Sequence, residues 1–319
     1  MVTYSTIVAS NAHFAEQHHL GRVCVFAGAT AGIGLATLKK IAFMLHESMF
    51  YILGRSRSRF SDQLAGLTKI NPSNVYQFVE EEVSLMSAVD AACHSILTSE
   101  TKIDYLCMSS GGIPWQGPVY TKEGLEANFA ISYFSRIRLV SNLLPLLQKS
   151  EQPHVLSILN GTKEKRIKED DIGLEKSWGI VPMIDHSTLL TSLAFDYLAT
   201  IDHSKRVVYL HVTPGLVNTG SRKQRPDTSK GWFRWLGLLI LSHIADFMVR
   251  LTGMSLDESG ERHAYVLTSG QFEPGSWRLD KLNDVIPDND AVVSYRNAGW
   301  ADKIWNFTER EWTRALSAM

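Results

Sequence analysis

Residues 22 to 34 read R-V-C-V-F-A-G-A-T-A-G-I-G. Val23 to Ala27 is a run of small and β-branched residues, which suits a strand buried on both faces of a parallel sheet. Leu35, Leu38, Ile41, Ala42 and Leu45 then recur at helical spacing, so Gly28, Gly32 and Gly34 fall at a strand-to-helix junction. Glycines there permit a tight turn and a close approach of the backbone to a pyrophosphate, while the unpaired amides of the helix N-terminus favour its negative charge. The junction predicts a dinucleotide pocket, with Thr30 and Ile33 in the same turn. The plainer alternative is a glycine turn kept for packing alone.

The second strand, Met49 to Leu53, ends in Gly54-Arg55-Ser56-Arg57, where an open doubly wound sheet meets the adenosine ribose. An acid there would bind both ribose hydroxyls, whereas a basic residue neutralises a 2′-phosphate. Arg55 therefore favours NADP(H) over NAD(H), unless Arg55, Arg57 and Arg59 form only a solvated basic loop. Glu82, at the end of a third strand read over residues 78 to 84, is placed to meet the adenine.

Strands near residues 23, 50, 76, 104, 155 and 207 alternate with helical segments, the rhythm of an α/β, doubly wound parallel sheet, the Rossmann fold. The 319 residues read as a single domain: a core over 20 to 275, an apolar insertion over 216 to 260 before the last strand, and a helical tail over 290 to 319. Long helices are expected over 123 to 147 and 182 to 200. Trp300, Trp305 and Trp312 mark a final helix packed on the body.

The spacing of A-G-A-T-A-G-I-G, E-V-S, D-Y-L-C-M-S-S-G-G, Asn128 inside a helix and V-T-P-G-L-V-N-T resembles the short-chain dehydrogenase/reductase superfamily over residues 20 to 275. The run G-L-E-A-N-F-A-I-S-Y-F-S-R-I-R-L-V-S-N-L-L-P-L-L and the late E-S-G-E-R-H-A-Y resemble its divergent members in fungal secondary-metabolite gene clusters. The resemblance implies a nicotinamide cofactor held by the glycine turn and by Ser110, Gly111, Pro214, Gly215 and Val217. Met108-Ser109-Ser110-Gly111 stands where N-N-A-G closes the fourth strand, and Asn128 matches the catalytic-site asparagine. It also implies a dimer seam built from the two long helices, hence a homo-oligomer.

The catalytic half of that pattern is missing. In the superfamily a serine near the end of the fifth strand and a Tyr-x-x-x-Lys pair on the next helix do the chemistry. Here Asn160 holds the serine position. Counting back from L-A-F-D-Y-L-A places Gly179 at the tyrosine and Met183 at the lysine, and a shift of one residue puts Trp178 at the tyrosine. Neither register restores a phenol or an amine. His186 shares a helix face with residues 179 and 183 and is the side chain best able to exchange protons near neutral pH, although a hydrogen-bonded core role fits it too. Asn160 is able to orient a carbonyl without transferring a proton. Lys163 and Lys165 lie in a charged loop over residues 162 to 171 that reads as solvated surface.

A net charge of −1 gives no electrostatic case for nucleic acid. Cys24, Cys93 and Cys107 show neither a disulfide framework nor metal-ligand spacing, and with no signal peptide the expected compartment is a reducing cytoplasm. No integral membrane segment is expected. In the superfamily the chain resembles, the insertion over 216 to 260 is the substrate lid; its apolar stretch 231 to 251 then implies a hydrophobic small-molecule substrate, with a peripheral membrane contact as the second reading. Three functions follow: an NADPH-dependent oxidoreductase acting on a carbonyl or imine of secondary metabolism; a redox-neutral cyclase, isomerase or dehydratase reusing the fold; and a catalytically silent binding subunit.

Overall fold

In the computed structural model, residues 2–112, 117–217 and 253–318 are described. A seven-stranded, all-parallel sheet runs in the order β3-β2-β1-β4-β5-β6-β7. Its strands are β1 (Val23–Ala27), β2 (Met49–Gly54), β3 (Val75–Glu80), β4 (Tyr105–Met108), β5 (His154–Ile158), β6 (Val208–Val212) and β7 (Gly275–Leu279). Strands β1, β4, β5 and β6 are buried along their whole length, as a sheet covered on both faces requires. The strand order reverses between β1 and β4, which opens a crevice at their carboxyl ends.

One face is covered by α2 (Gly32–Met44), α3 (Arg57–Ile70) and α8 (Leu256–Thr268). Helix α1 (Tyr4–Glu16) joins them: Asn11 Nδ2 donates to the Glu261 carbonyl at 2.9 Å. The other face carries α4 (Met86–Ser99), α5 (Ala127–Phe129), a π-helical turn (Ala130–Phe134), α6 (Ser135–Leu147) and α7 (Ile180–Ile201). Helices α9 (Asp290–Asn297) and α10 (Trp300–Ser317) pack outside these.

The tail helix is core, as the tryptophans predict, with Trp300, Trp305 and Trp312 all buried. It covers the faces of the two long helices from within the same chain: Trp305 stacks on Tyr197 of α7 at 4.6 Å, and Trp312 Nε1 donates to the Phe134 carbonyl at 3.3 Å. One strand expectation needs correction: the third strand ends at Glu80, so Glu82 lies in the following turn. The last strand expected after the insertion is β7. The apolar stretch 231 to 251 lies outside the described residues. The flanks of that insertion are tied together, with Val217 bridging Met254 and the Met254 amide donating to the Leu216 carbonyl at 2.8 Å. Among the described residues no helix is long and apolar enough to cross a membrane, and no His, Cys, Asp or Glu cluster is arranged to hold a metal.

Candidate active site

The β1–α2 turn is built on glycine for steric reasons that are visible atom by atom. Gly28 (φ +84°) and Gly32 (φ +60°) are left-handed. A Cβ on Gly28 would lie 2.2 Å from the Ser110 amide nitrogen, and one on Gly34 would lie 2.2 Å from Ser109 Oγ and 2.7 Å from the Gly28 carbonyl oxygen. Ser109 Oγ in turn donates to that carbonyl at 3.0 Å, pinning the turn to the end of β4. Thr30 leans over the end of β2, its methyl 2.7 Å from where a Gly54 Cβ would stand. Ile33 lies on the first turn of α2, half-buried.

No side chain caps α2: its N-cap, Ala31, has none to offer. The first-turn amides are thus left for a ligand. Beside them the buried Ser110 hydroxyl has no hydrogen-bond partner among the described residues. A cradle with no room for a Cβ, an uncapped helix end and an unpaired hydroxyl together fit a nucleotide diphosphate.

At the expected ribose end, Arg55 Nε stands 3.7 Å from Glu82 Oε2, and the Arg55 side chain is 77% exposed. Arg57 is committed elsewhere, its Nη2 donating to the Phe78 carbonyl at 2.6 Å and its guanidinium lying over the Phe78 ring. Both arginines are exposed, and Arg55 is the one not held against Phe78.

Around the expected nicotinamide end, Gly111 (φ +145°) follows β4, Asn160 follows β5, and Pro214 and Gly215 (φ +71°) follow β6, with buried Val217 just beyond. Asn128 lies in α5 immediately before the π-helical turn, and its Nδ2 donates to Glu126 Oε1 at 3.0 Å. The Asn160 carbonyl accepts from the Lys163 amide at 2.9 Å, while its side-chain amide makes no hydrogen bond among the described residues. Gly179 is the N-cap of α7 and Met183 is buried in its first turns. Trp178 Nε1 is a buried donor without a partner among the described residues.

His186 does not share that availability. Its Nε2 accepts from the Lys168 amide at 3.0 Å and its Nδ1 faces the Ile172 carbonyl at 3.0 Å, so both nitrogens are taken by the loop ahead of α7. That pattern requires the neutral ring with its proton on Nδ1. Burial, the largest influence, lowers its pKa below the ordinary histidine value. Lys165 pairs with Asp185 at 3.5 Å and Lys163 is exposed.

The expectation of a wholly solvated loop over residues 162 to 171 is corrected by Glu164, which is 3% exposed. Its carboxylate accepts from Arg278 at 3.1 Å, from the Ser192 hydroxyl at 2.6 Å and from the Thr162 amide at 3.1 Å, while Ser192 also meets His211 Nδ1 at 2.9 Å. Burial alone would raise the Glu164 pKa, but His211, the Ser192 hydrogen bond and Arg278 carry it below the usual carboxylate value. Arg136 was equally hidden. It is 1% exposed, and its Nη1 donates to the Met108 carbonyl (3.2 Å), Ser157 Oγ (2.7 Å) and the Ile158 carbonyl (3.1 Å), while Nη2 donates to the Ser110 carbonyl. One signal for it exists in the sequence: Phe129, Tyr133, Arg136, Val140, Leu143 and Leu147 recur every three or four residues, which places a charge in an apolar stripe.

The chain is similar over its whole length to fungal oxidoreductases. It is 32% identical to an oxidoreductase of Emericella nidulans across 97% of each chain, and 32% identical to the oxidoreductase lepF of Aspergillus flavus across 97% of this chain and 96% of that one. It is 31% identical to the short-chain dehydrogenase/reductase SAT2 of Stachybotrys chartarum across 80% of this chain and 74% of that one. In fold it is similar to the NADPH-bound carbonyl reductase from chicken fatty liver (TM-score 0.57, 15% identity, 85% of this chain and 100% of that one). The L-sorbose reductase of Gluconobacter frateurii complexed with NADPH and L-sorbose gives the same TM-score at 17% identity, across 79% of this chain and 91% of that one. No family model matches the sequence. With the doubly wound sheet, the glycine cradle and these relatives in place, the chain belongs to the short-chain dehydrogenase/reductase superfamily and is an oxidoreductase of that kind.

Proposed function

We propose that this oxidoreductase uses NADP(H) to reduce a carbonyl or imine on a hydrophobic small-molecule intermediate of fungal secondary metabolism. The observation that carries the reading is the β1–α2 cradle, where Gly28 and Gly34 have no space for a side chain and the uncapped α2 amides lie beside the unpaired Ser110 hydroxyl. Gly28, Thr30, Gly32, Ile33, Gly34, Ser110 and Gly111 would hold the diphosphate and its flanking sugars, and Pro214, Gly215 and Val217 the nicotinamide side. Arg55 would meet the 2′-phosphate and Glu82 the adenine. The cofactor supplies a hydride.

The chain's own residues have to hold the acceptor and manage its charge. With Gly179 and Met183 where a phenol and an amine would stand, direct proton donation from the first turns of α7 is not the route. The Asn160 amide is assigned to orient the acceptor by hydrogen bonding, with Asn128 supporting the same wall. His186 is assigned to hold the loop that follows Asn160, since both its nitrogens are spent on that loop's backbone. An iminium acceptor would need no acid at all, because it already carries the charge that protonation would create. The hydrophobic substrate rests on the apolar sequence of residues 231 to 251.

The missing phenol and amine favour one rival, a redox-neutral cyclase, isomerase or dehydratase. Deuterium transfer from 4-deuterated NADPH into a panel of apolar ketones and cyclic imines separates the two. The proposal expects label in the product with stoichiometric NADPH consumption. Turnover without consumption or label supports the rival.

A further inference from the structure

Arg136 is a buried cation without a carboxylate. Among the described residues no acidic side chain pairs with it, and every recorded acceptor of its guanidinium is a neutral carbonyl or hydroxyl. Taking a charge out of water costs several kcal/mol unless something compensates it, and neutral acceptors do so only in part. The placement of the charge is informative. Its Nη2 holds the Ser110 carbonyl and lies 3.6 Å from where a Gly111 Cβ would stand, while the Ser110 amide and Cα are the atoms that close against Gly28. A single residue, Ser110, separates the guanidinium from the glycine cradle. The Ser110 hydroxyl and Arg136 Nε are both buried without partners among the described residues.

Resting on the nucleotide-binding reading above, we propose that Arg136 is the fixed positive charge of the cofactor site, a positioning residue that attracts the nucleotide diphosphate through Ser110 in addition to bracing the ends of β4 and β5. The absent anion would then be the counter-charge that the protein interior lacks. Burial lowers the Arg136 pKa to about 10, which leaves it charged at neutral pH. The titratable groups facing it are the Cys107 thiol of β4, pushed up to about 12 by burial, and the His211 imidazole of β6, pushed down to about 4. Neither changes charge between pH 7 and pH 9, and beyond His211 the Glu164 carboxylate is already paired with Arg278.

The test is a fluorescence or calorimetric titration of the full chain with NADPH, NADH and ADP. Arg136→Met, neutral and similar in length, should weaken all three by about tenfold while leaving the NADPH-to-NADH ratio unchanged. Ser157→Ala, which removes an acceptor but no charge, should lower the melting temperature without that loss. Arg136→Lys gives an independent reading should the methionine variant not fold. A buried ammonium loses its proton more readily than a guanidinium, so its affinity for ADP should fall about tenfold relative to wild type between pH 7 and pH 9. Unchanged ADP affinity in Arg136→Met, or a pH profile for Arg136→Lys that parallels wild type, would overturn the proposal and leave Arg136 a structural brace. Failure of the wild type to bind any of the three would instead overturn the nucleotide reading beneath it.

Discussion

At the scale of single residues, roles follow from what each polar atom is already bonded to. His186, by type and by helix face, is the natural candidate for a proton donor, but its two nitrogens hold the Lys168 amide and the Ile172 carbonyl. Removing the ring would orphan both backbone groups. His186→Ala should therefore cost about 2–3 kcal/mol of stability, read as a lower urea midpoint. Any pH dependence of kcat should keep its shape. Loss of a kcat limb near neutral pH with stability intact would return the ring to the chemistry. Asn160 is the opposite case, a half-buried amide whose side chain has no partner among the described residues, two residues past the end of β5.

At the scale of elements, the sequence was most readable where local pattern and tertiary context agree. Val23–Ala27 is apolar and β-branched because it is buried on both faces, and Gly28, Gly32 and Gly34 are glycine because of backbone conformation and close approach. A last strand was expected after the insertion, but the bounds of β7 were not legible because G-S-W-R-L places an arginine in a strand interior. Arg278 is tolerated there only because Glu164, more than a hundred residues earlier, and Asp288 receive its guanidinium. Glu164 was hidden for the reciprocal reason, inside a charged run that periodicity assigns to solvent. Helix α1 was hidden too, because much of its surface is exposed and only Ile7 and Asn11 are buried. The cradle gives a sharp prediction of its own. Gly34→Ala would drive a methyl into Ser109 Oγ and the Gly28 carbonyl, so it should cost about 1–3 kcal/mol and weaken nucleotide binding. Unaltered urea unfolding and nucleotide affinity would show that the turn opens freely.

For the whole molecule, the buried titratable groups set a pH limit. His154, His211 and His263 are each pushed down to about 4, chiefly by burial. Their folded pKa values lie below the unfolded value of about 6.5, so the unfolded chain takes up protons first as pH falls. The stability they contribute is complete above about pH 6.5 and is lost progressively towards pH 4, so the melting temperature should fall across that window. A flat profile would mean these rings are accessible to protons in the folded state. The central claim, however, concerns the cofactor site, and it is tested most directly by titrating the purified protein with NADPH and NADH in parallel, alongside Arg55→Ala. The account predicts saturable binding with a clear preference for NADPH, reduced about tenfold by the substitution. Saturable binding of neither nucleotide would contradict it and leave a dehydrogenase fold serving redox-neutral chemistry.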